Sequence, residues 1–377
     1  MKKILIYSPY YKSHIGGLES FVEDLNKELL KNILNLEITI VTSLLPVGQK
    51  KIENNDRLKI VRLPFFEIID NFPVPKFWNK NFRKMYREVL DSDYDLIISH
   101  TRFFLTSLMA CFFSKKKKIK WIHIEHGSDF VQTNNLFIKI TAWIYDQTLG
   151  RLVFKLADEI VSVSQAVSNF VFRLSKRKSD VFYRGFNFNK IIKTKSNKEL
   201  FRYKDYFKIV FIGRLISGKG TADLINVLAK LPINKKWICF IVGDGDCKEN
   251  LEQQVRNKEL VDKIIFFGKC SHQKTLEILK GSDLLVNPSY TEGIPTTVLE
   301  AAILEKPVLA TDVGGTRECF YKKISLLKPN DVTILLDKLN KYISNKKIDY
   351  DLKKNKEYVE NEFNWKNIVD YLSKKYI

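Results

Sequence analysis

Acidic residues are in short supply: 43 Asp and Glu stand against 63 Lys and Arg in 377 residues, a net charge of +20. That balance argues for an anionic partner, whether nucleic acid, a phosphorylated substrate or an acidic membrane face. Cysteine is scarcer still. Cys111, Cys239, Cys247, Cys270 and Cys319 form no C-x-x-C pair, which sets aside a disulfide framework and reads as reduced thiols in a cytoplasmic protein. Long apolar runs are missing too. The longest, residues 103–113, has eleven residues, against the roughly 20 a spanning helix needs. The basic start, Met1-Lys2-Lys3, is followed by an apolar stretch that stops at Pro9, too short for a secretory leader. There is no P-loop, no H-E-x-x-H pair and no G-x-S-x-G elbow, so NTPase, zinc-enzyme and serine-hydrolase readings lose ground. Neither a solenoid repeat nor a low-complexity tract occurs.

What is present is a chain with 45% hydrophobic residues, enough for two domains of ordinary size. Short apolar strands alternate with amphipathic helices. Strands are expected at residues 3–8, 36–42, 94–99, 119–124 and 157–164, with 44–89 a loop-rich stretch. After the first strand comes Gly16-Gly17-Leu18-Glu19, either a tight turn or a backbone approach to phosphate. The fourth ends in Glu125-His126-Gly127, which puts His126 at a strand's carboxyl end, where open α/β sheets bind ligands. Asp91-Ser92-Asp93 has a D-x-D form but reads as a polar turn. Residues 115–118 are four lysines, expected on a connection and able to meet anionic lipid. Residues 137–156 mix apolar and basic side chains and fit a core helix or an interfacial one, core being the reading adopted. A polar, basic stretch at 185–206 marks a domain boundary, and a second series restarts with strands at 207–213, 237–242, 263–267, 283–287 and 306–310. The expected domains are 1–187 and 188–362, with residues 363–377 crossing back to the first.

The second series carries the chemistry. Residues 287–301 read NPSYTEGIPTTVLEA: a strand end, a turn, then a helix whose start, from Gly293 through Ile294 and Pro295 to Thr296, offers the backbone N–H groups of all but Pro295 as an anion site. Glu292 and Glu300 lie eight positions apart, about 12 Å at ~1.5 Å rise per residue. That is too far for a hydrolase pair but suits gripping two ends of a bound nucleotide-sugar. Arg214 and Lys219 stand between Gly213 and Gly220, a guanidinium fork and a point ammonium suited to a diphosphate leaving group.

Together these motifs resemble the GT-B nucleotide-sugar glycosyltransferases of family 4 type, which act with retention. Gly213-Arg214…Lys219-Gly220 is similar to the family's diphosphate loop, Glu292…Glu300 to its E-x7-E signature, and Gly314-Gly315…Glu318 to its G-G-x-x-E. Gly16-Gly17, Glu125-His126-Gly127 and Ser162-Val163-Ser164 resemble amino-terminal landmarks. Tyr183-Arg184-Gly185-Phe186-Asn187 departs from the family's usual P-N-G-V-D, which bears on the interdomain edge and on no donor contact.

The resemblance implies a GT-B fold, two doubly wound Rossmann-like α/β domains facing across a cleft. Glu300 would hold the ribose hydroxyls, Glu292 the transferred sugar, and Arg214 with Lys219 the diphosphate, without metal or cofactor. Gly17 would admit the phosphates, His126 would touch the sugar, and backbone near Lys269 and Cys270 would meet the base. The donor would be UDP- or GDP-linked and the acceptor a glycan or lipid-linked diphosphate in surface polysaccharide or lipopolysaccharide assembly. An anionic membrane surface is a further partner of that reading. The rivals are an epimerase or phosphorylase on the same fold, a silent partner subunit, and a nucleic-acid binder. The last lacks any accompanying motif.

Overall fold

The computed structural model describes residues 1–377 apart from 13–16, 47, 69–71, 132–134, 187, 233, 323–325, 345–350 and 377. It divides into two compact units, Met1–Gly185 with Asn364–Ile377, and Phe186–Phe363. Gly16 and Asn187 lie outside the described residues.

In the first unit the described strands run across one sheet in the order Asp180–Val181, Glu159–Ser162, Lys120–Glu125, Leu96–His100, Lys2–Tyr7, Leu36–Ser43, Leu58–Leu63 and Ile52–Asn55. All pair in parallel except Ile52–Asn55, which turns back on Leu58–Leu63. Parallel strands have helices on both faces, so their sequences are apolar on both sides; Leu5, Ile6, Tyr7, Ile97, Ile98, Trp121 and Ile122 are fully buried. The terminal helix Trp365–Tyr376 packs against Gly17–Asn32, with the Phe21 and Trp365 rings 5.4 Å apart. Gly185 is what lets the chain cross there. A Cβ on it would stand 2.2 Å from the Trp365 backbone nitrogen, so the departure from the family pattern keeps the one residue that close approach demands.

Three expectations need correction in this unit. The stretch 44–89 is not mainly loop: it holds a hairpin through Ile52–Asn55 and Leu58–Leu63, a second of Phe65–Glu67 with Pro73–Pro75, and the helix Lys80–Asp91. Pro73 and Pro75 sit on a two-stranded ribbon, where a missing N–H is tolerated. Lys115, Lys116 and Lys117 form the last turn of the helix Leu105–Lys117, not a connection, and favour its negative end. The run 136–156 is helical but is not a core helix. Leu136–Tyr145, a π turn Asp146–Gly150 and Arg151–Leu156 bury only Ala142, Asp146, Gly150, Val153 and Phe154. It has more apolar residues than one face can hide, and Phe137 is 75% and Trp143 51% exposed.

The second unit is a described six-stranded sheet in the order Ile264–Gly268, Trp237–Val242, Phe207–Ile212, Leu284–Asn287, Val308–Thr311 and Leu326–Leu327, all parallel. The chain works outward from Phe207–Ile212 in one direction, then returns to add Leu284–Asn287 on its other side. Adjacent strands whose connections leave in opposite directions open a crevice at their carboxyl ends.

Candidate active site

Both loops that flank this crevice are the ones singled out by sequence. From Phe207–Ile212 the chain enters Gly213 to Gly220; from Leu284–Asn287 it enters Pro288 to Pro295 and the helix Thr296–Ile303. They are locked backbone to backbone. Tyr290 N donates to Gly218 O at 2.9 Å. Gly220 holds φ +66°, and a Cβ there would stand 2.1 Å from Pro288 O, so no side chain fits between the loops. A third loop joins them, Gly315 N donating to Gly293 O at 2.9 Å. Leu215 N reaches Asp244 O at 2.9 Å, tying in the turn after Trp237–Val242.

Three groups suited to an anion sit on this frame. Arg214 is exposed at the strand end. Lys219 Nζ donates to Glu292 Oε1 at 2.7 Å, so two residues expected to serve different parts of a donor are an ion pair. The helix Thr296–Ile303 begins after Pro295 with no side-chain cap, leaving first-turn N–H groups for a ligand or water. Glu300, one turn further on, is buried and takes a 2.8 Å hydrogen bond from His272 Nε2. His272 opens the helix His272–Gly281, which Ser271 caps. Sequence reasoning passed over it, and the Ser271 cap was its only local signal. Lys269 is exposed and Cys270 partly buried just past Ile264–Gly268, and burial pushes the Cys270 thiol upward. Arg317 and Asp312 form a two-bond ion pair beside Glu318.

The first unit holds expected residues of its own. Gly17 opens the helix Gly17–Asn32 with nothing within 4 Å of where a Cβ would lie. His126 follows the strand Lys120–Glu125 and packs edge-on to Phe21 at 4.8 Å. Its Nε2 shares a 3.2 Å hydrogen bond with His100 Nδ1. Burial lowers the His126 imidazole to about 4, with Glu125 opposing and His123 and Arg184 adding to the shift. It is therefore neutral near pH 7, a hydrogen-bonding group and not a charge.

Beneath it lies a cluster the sequence did not reveal. Arg102 donates from Nη1 to Glu125 Oε1 at 3.0 Å and, as a fork, to both oxygens of Asp146 at 2.9 and 3.0 Å. All three side chains are at most 3% exposed. Glu125 Oε1 also accepts from the backbone N–H groups of His126 and Gly127, at 3.1 and 2.8 Å. Burial alone would raise the Glu125 carboxyl, but Arg102 and His123 outweigh it and hold the group well below the carboxylate range. Glu125 thus fixes the loop that presents His126. Among the described residues, no group of three or more His, Cys, Asp or Glu is placed to hold a metal ion.

Residues 15–190 match the family model "Glycosyltransferase Family 4" and residues 192–361 match "Glycosyl transferases group 1". An uncharacterized glycosyltransferase of Methanocaldococcus jannaschii, MJ1069, is 34% identical over 97% of this chain and 96% of its own. The chain belongs to the GT-B glycosyltransferases of family 4 type. The glycosyltransferase is also 30% identical, over 91% of its length and 89% of the relative's, to a putative teichuronic acid biosynthesis glycosyltransferase of Bacillus subtilis, TuaC. Its fold matches that of Anabaena Alr3699/HepE in complex with UDP and glucose, with a TM-score of 0.75, 17% identity and 99% of each chain covered. The two doubly wound units are accordingly those of the GT-B fold.

Proposed function

We propose that this glycosyltransferase moves a hexose or N-acetylhexosamine from a nucleoside diphosphate to a glycan or lipid-linked acceptor, with the anomeric configuration retained and no metal required. One observation carries the reading. At the switch point of the second unit, exposed Arg214 and the Lys219–Glu292 ion pair lie on loops joined backbone to backbone, ahead of a helix start with no side-chain cap, and one turn into that helix Glu300 takes a hydrogen bond from His272. Cations and free amides favour the charge that builds on a departing diphosphate, while the Glu300 carboxyl oxygens accept hydrogen bonds from a ribose diol. Arg214 and Lys219 neutralise the leaving group, Glu292 meets the transferred sugar, and the backbone near Lys269 and Cys270 meets the base. His126 is assigned a contact with the sugar, as a neutral imidazole. Attack proceeds on the face the diphosphate leaves, whose oxygen takes the acceptor's proton, so the C1–O bond to phosphate breaks as the glycosidic bond forms. UDP is the favoured donor nucleotide, because the fold relative is described with UDP and glucose. A surface-polysaccharide role is supported by the teichuronic acid relative. The five free cysteines suit a reducing cytoplasm.

The test is to offer UDP- and GDP-linked hexoses and N-acetylhexosamines in EDTA and follow nucleotide release with candidate acceptors. The expected product keeps the donor's anomeric coupling by proton NMR. An inverted product overturns the retaining assignment, and activity only after adding a divalent ion overturns metal independence.

A further inference from the structure

Helical run 136–156 buries one face in the first unit and leaves an apolar stripe on the other. Phe137, Ile140 and Ile144 repeat at intervals of three and four; Leu149, Leu152 and Leu156 repeat the same pattern, and all six are exposed. The step from Ile144 to Leu149 is five residues, and it falls across the π turn Asp146–Gly150. A π turn is about one residue wider than an α turn, so both halves keep their apolar residues on one side. Asp146, tied to Arg102 beneath, sits in that turn.

The exposed charge within the run itself is of one sign. Residues 136–156 contain a single acid, Asp146, which is fully buried, while Lys139 and Lys155 are exposed. The helix Leu105–Lys117 packs against Arg151–Leu156, has no acidic residue, ends in three lysines and exposes Phe112. Lys115 reaches Asp158, two residues past the run, at 3.2 Å. No described helix is long and apolar enough to cross a membrane, and this run is apolar on one outer face only. An apolar stripe with a Trp and flanking cations is the pattern of a helix lying in the headgroup region of an anionic bilayer.

We propose that run 136–156 seats the glycosyltransferase on an anionic lipid surface, with Phe137, Trp143 and Leu152 among the acyl chains and Lys139, Lys155 and the 115–118 lysines on the headgroups. A second copy of this chain is a poorer occupant, because a twofold contact would set Lys139 and Lys155 against cations of the same face. The proposal adds a partner to the lipid-linked acceptor reading above, and its purpose rests on that reading; its test does not.

Full-length protein is sedimented with vesicles of pure phosphatidylcholine or with 30% phosphatidylglycerol, at low and high salt. Binding is expected only to the anionic vesicles, weakening with salt. Phe137→Ser/Trp143→Ser is expected to lower that binding by about tenfold or more, and Lys139→Glu/Lys155→Glu to remove its lipid selectivity. Both variants should keep the wild-type thermal shift with UDP, which reads the other unit and separates failure of this proposal from failure of the donor assignment. Wild type that ignores anionic vesicles overturns the proposal, as do variants that bind like wild type. Concentration-dependent self-association abolished by Phe137→Ser/Trp143→Ser would assign the face to a second copy instead.

Discussion

Replacing Arg102 by Met would test whether one buried cation holds the His126 loop. Methionine fills most of the stem but leaves Glu125 and Asp146, both fully buried, without their shared partner. Removing one member of a buried ion pair costs about 3–5 kcal/mol, because the remaining charge is uncompensated. Arg102 also lies over the Phe170 ring at 4.3 Å, so lost stacking works in the same direction. Hydrogen exchange of the Lys120–Glu125 amides reads this unit alone, and protection there should fall by roughly 10²- to 10⁴-fold at pH 7. The deficit should shrink on acidification. In Arg102→Met the buried carboxyls titrate above their unfolded values, so protonation favours the folded state as pH falls. In wild type Glu125 is held low and loses stability over the same range. Glu125→Gln in the Arg102→Met background should recover part of the loss. A deficit under ~1 kcal/mol, the scale of an exposed pair, or one independent of pH, would refute the reasoning.

Three further outcomes follow from the geometry. His272→Ala should weaken UDP binding by about five- to tenfold through loss of one hydrogen bond to Glu300, measured by calorimetry. Gly220→Ala must displace the Pro288 carbonyl or leave φ +66°, so the second unit should lose on the order of 1–3 kcal/mol and its nucleotide response together, read by urea denaturation with and without UDP. His126 has a folded value of about 4, below the unfolded ~6.5. Its contribution to stability is therefore complete above about pH 6.5 and is lost as pH falls towards 4, with His100, also lowered by burial, acting in the same sense. The melting midpoint of wild type should drop more steeply between pH 7 and 5 than that of His100→Asn.

The legible parts of this chain are those where neighbours in sequence are neighbours in space. Residues 237–242, WICFIV, are apolar throughout because both faces of that strand are covered, and the strand falls where the run does. Arg214, Lys219 and Gly220 share one loop, and Glu292, the helix start and Glu300 share one turn-and-helix segment, so their spacing exposes them. The strand Ile52–Asn55 was hidden because an exposed antiparallel edge reads Ile-Glu-Asn-Asn, with no run and little alternation. The Lys80–Asp91 helix had a signal that went unused, Asn79, whose side chain accepts from the backbone N–H of Asn81 and Phe82. Arg102 and Asp146 lie 44 positions apart, and His272 and Glu300 lie 28 apart; no local pattern joins them, and only the tertiary fold brings each pair together. The exposed face of 136–156 was misjudged for the opposite reason, because hydrophobicity without a partner looks the same in sequence as hydrophobicity in a core.

The central claim, a nucleoside diphosphate held at the switch point of the second unit, is tested most directly by thermal shift with UDP in EDTA. Wild type, Glu300→Ala and Arg214→Ala would be compared, with GDP, ADP and CMP alongside. At a hundredfold excess over Kd, a ligand bound only by the folded state adds about 2.7 kcal/mol, or roughly 5–10 °C for a unit of this size. That shift is expected in wild type with one diphosphate and is expected to be lost or much reduced in both variants. No shift in wild type at millimolar nucleotide, or an equal shift in Glu300→Ala, would contradict the assignment.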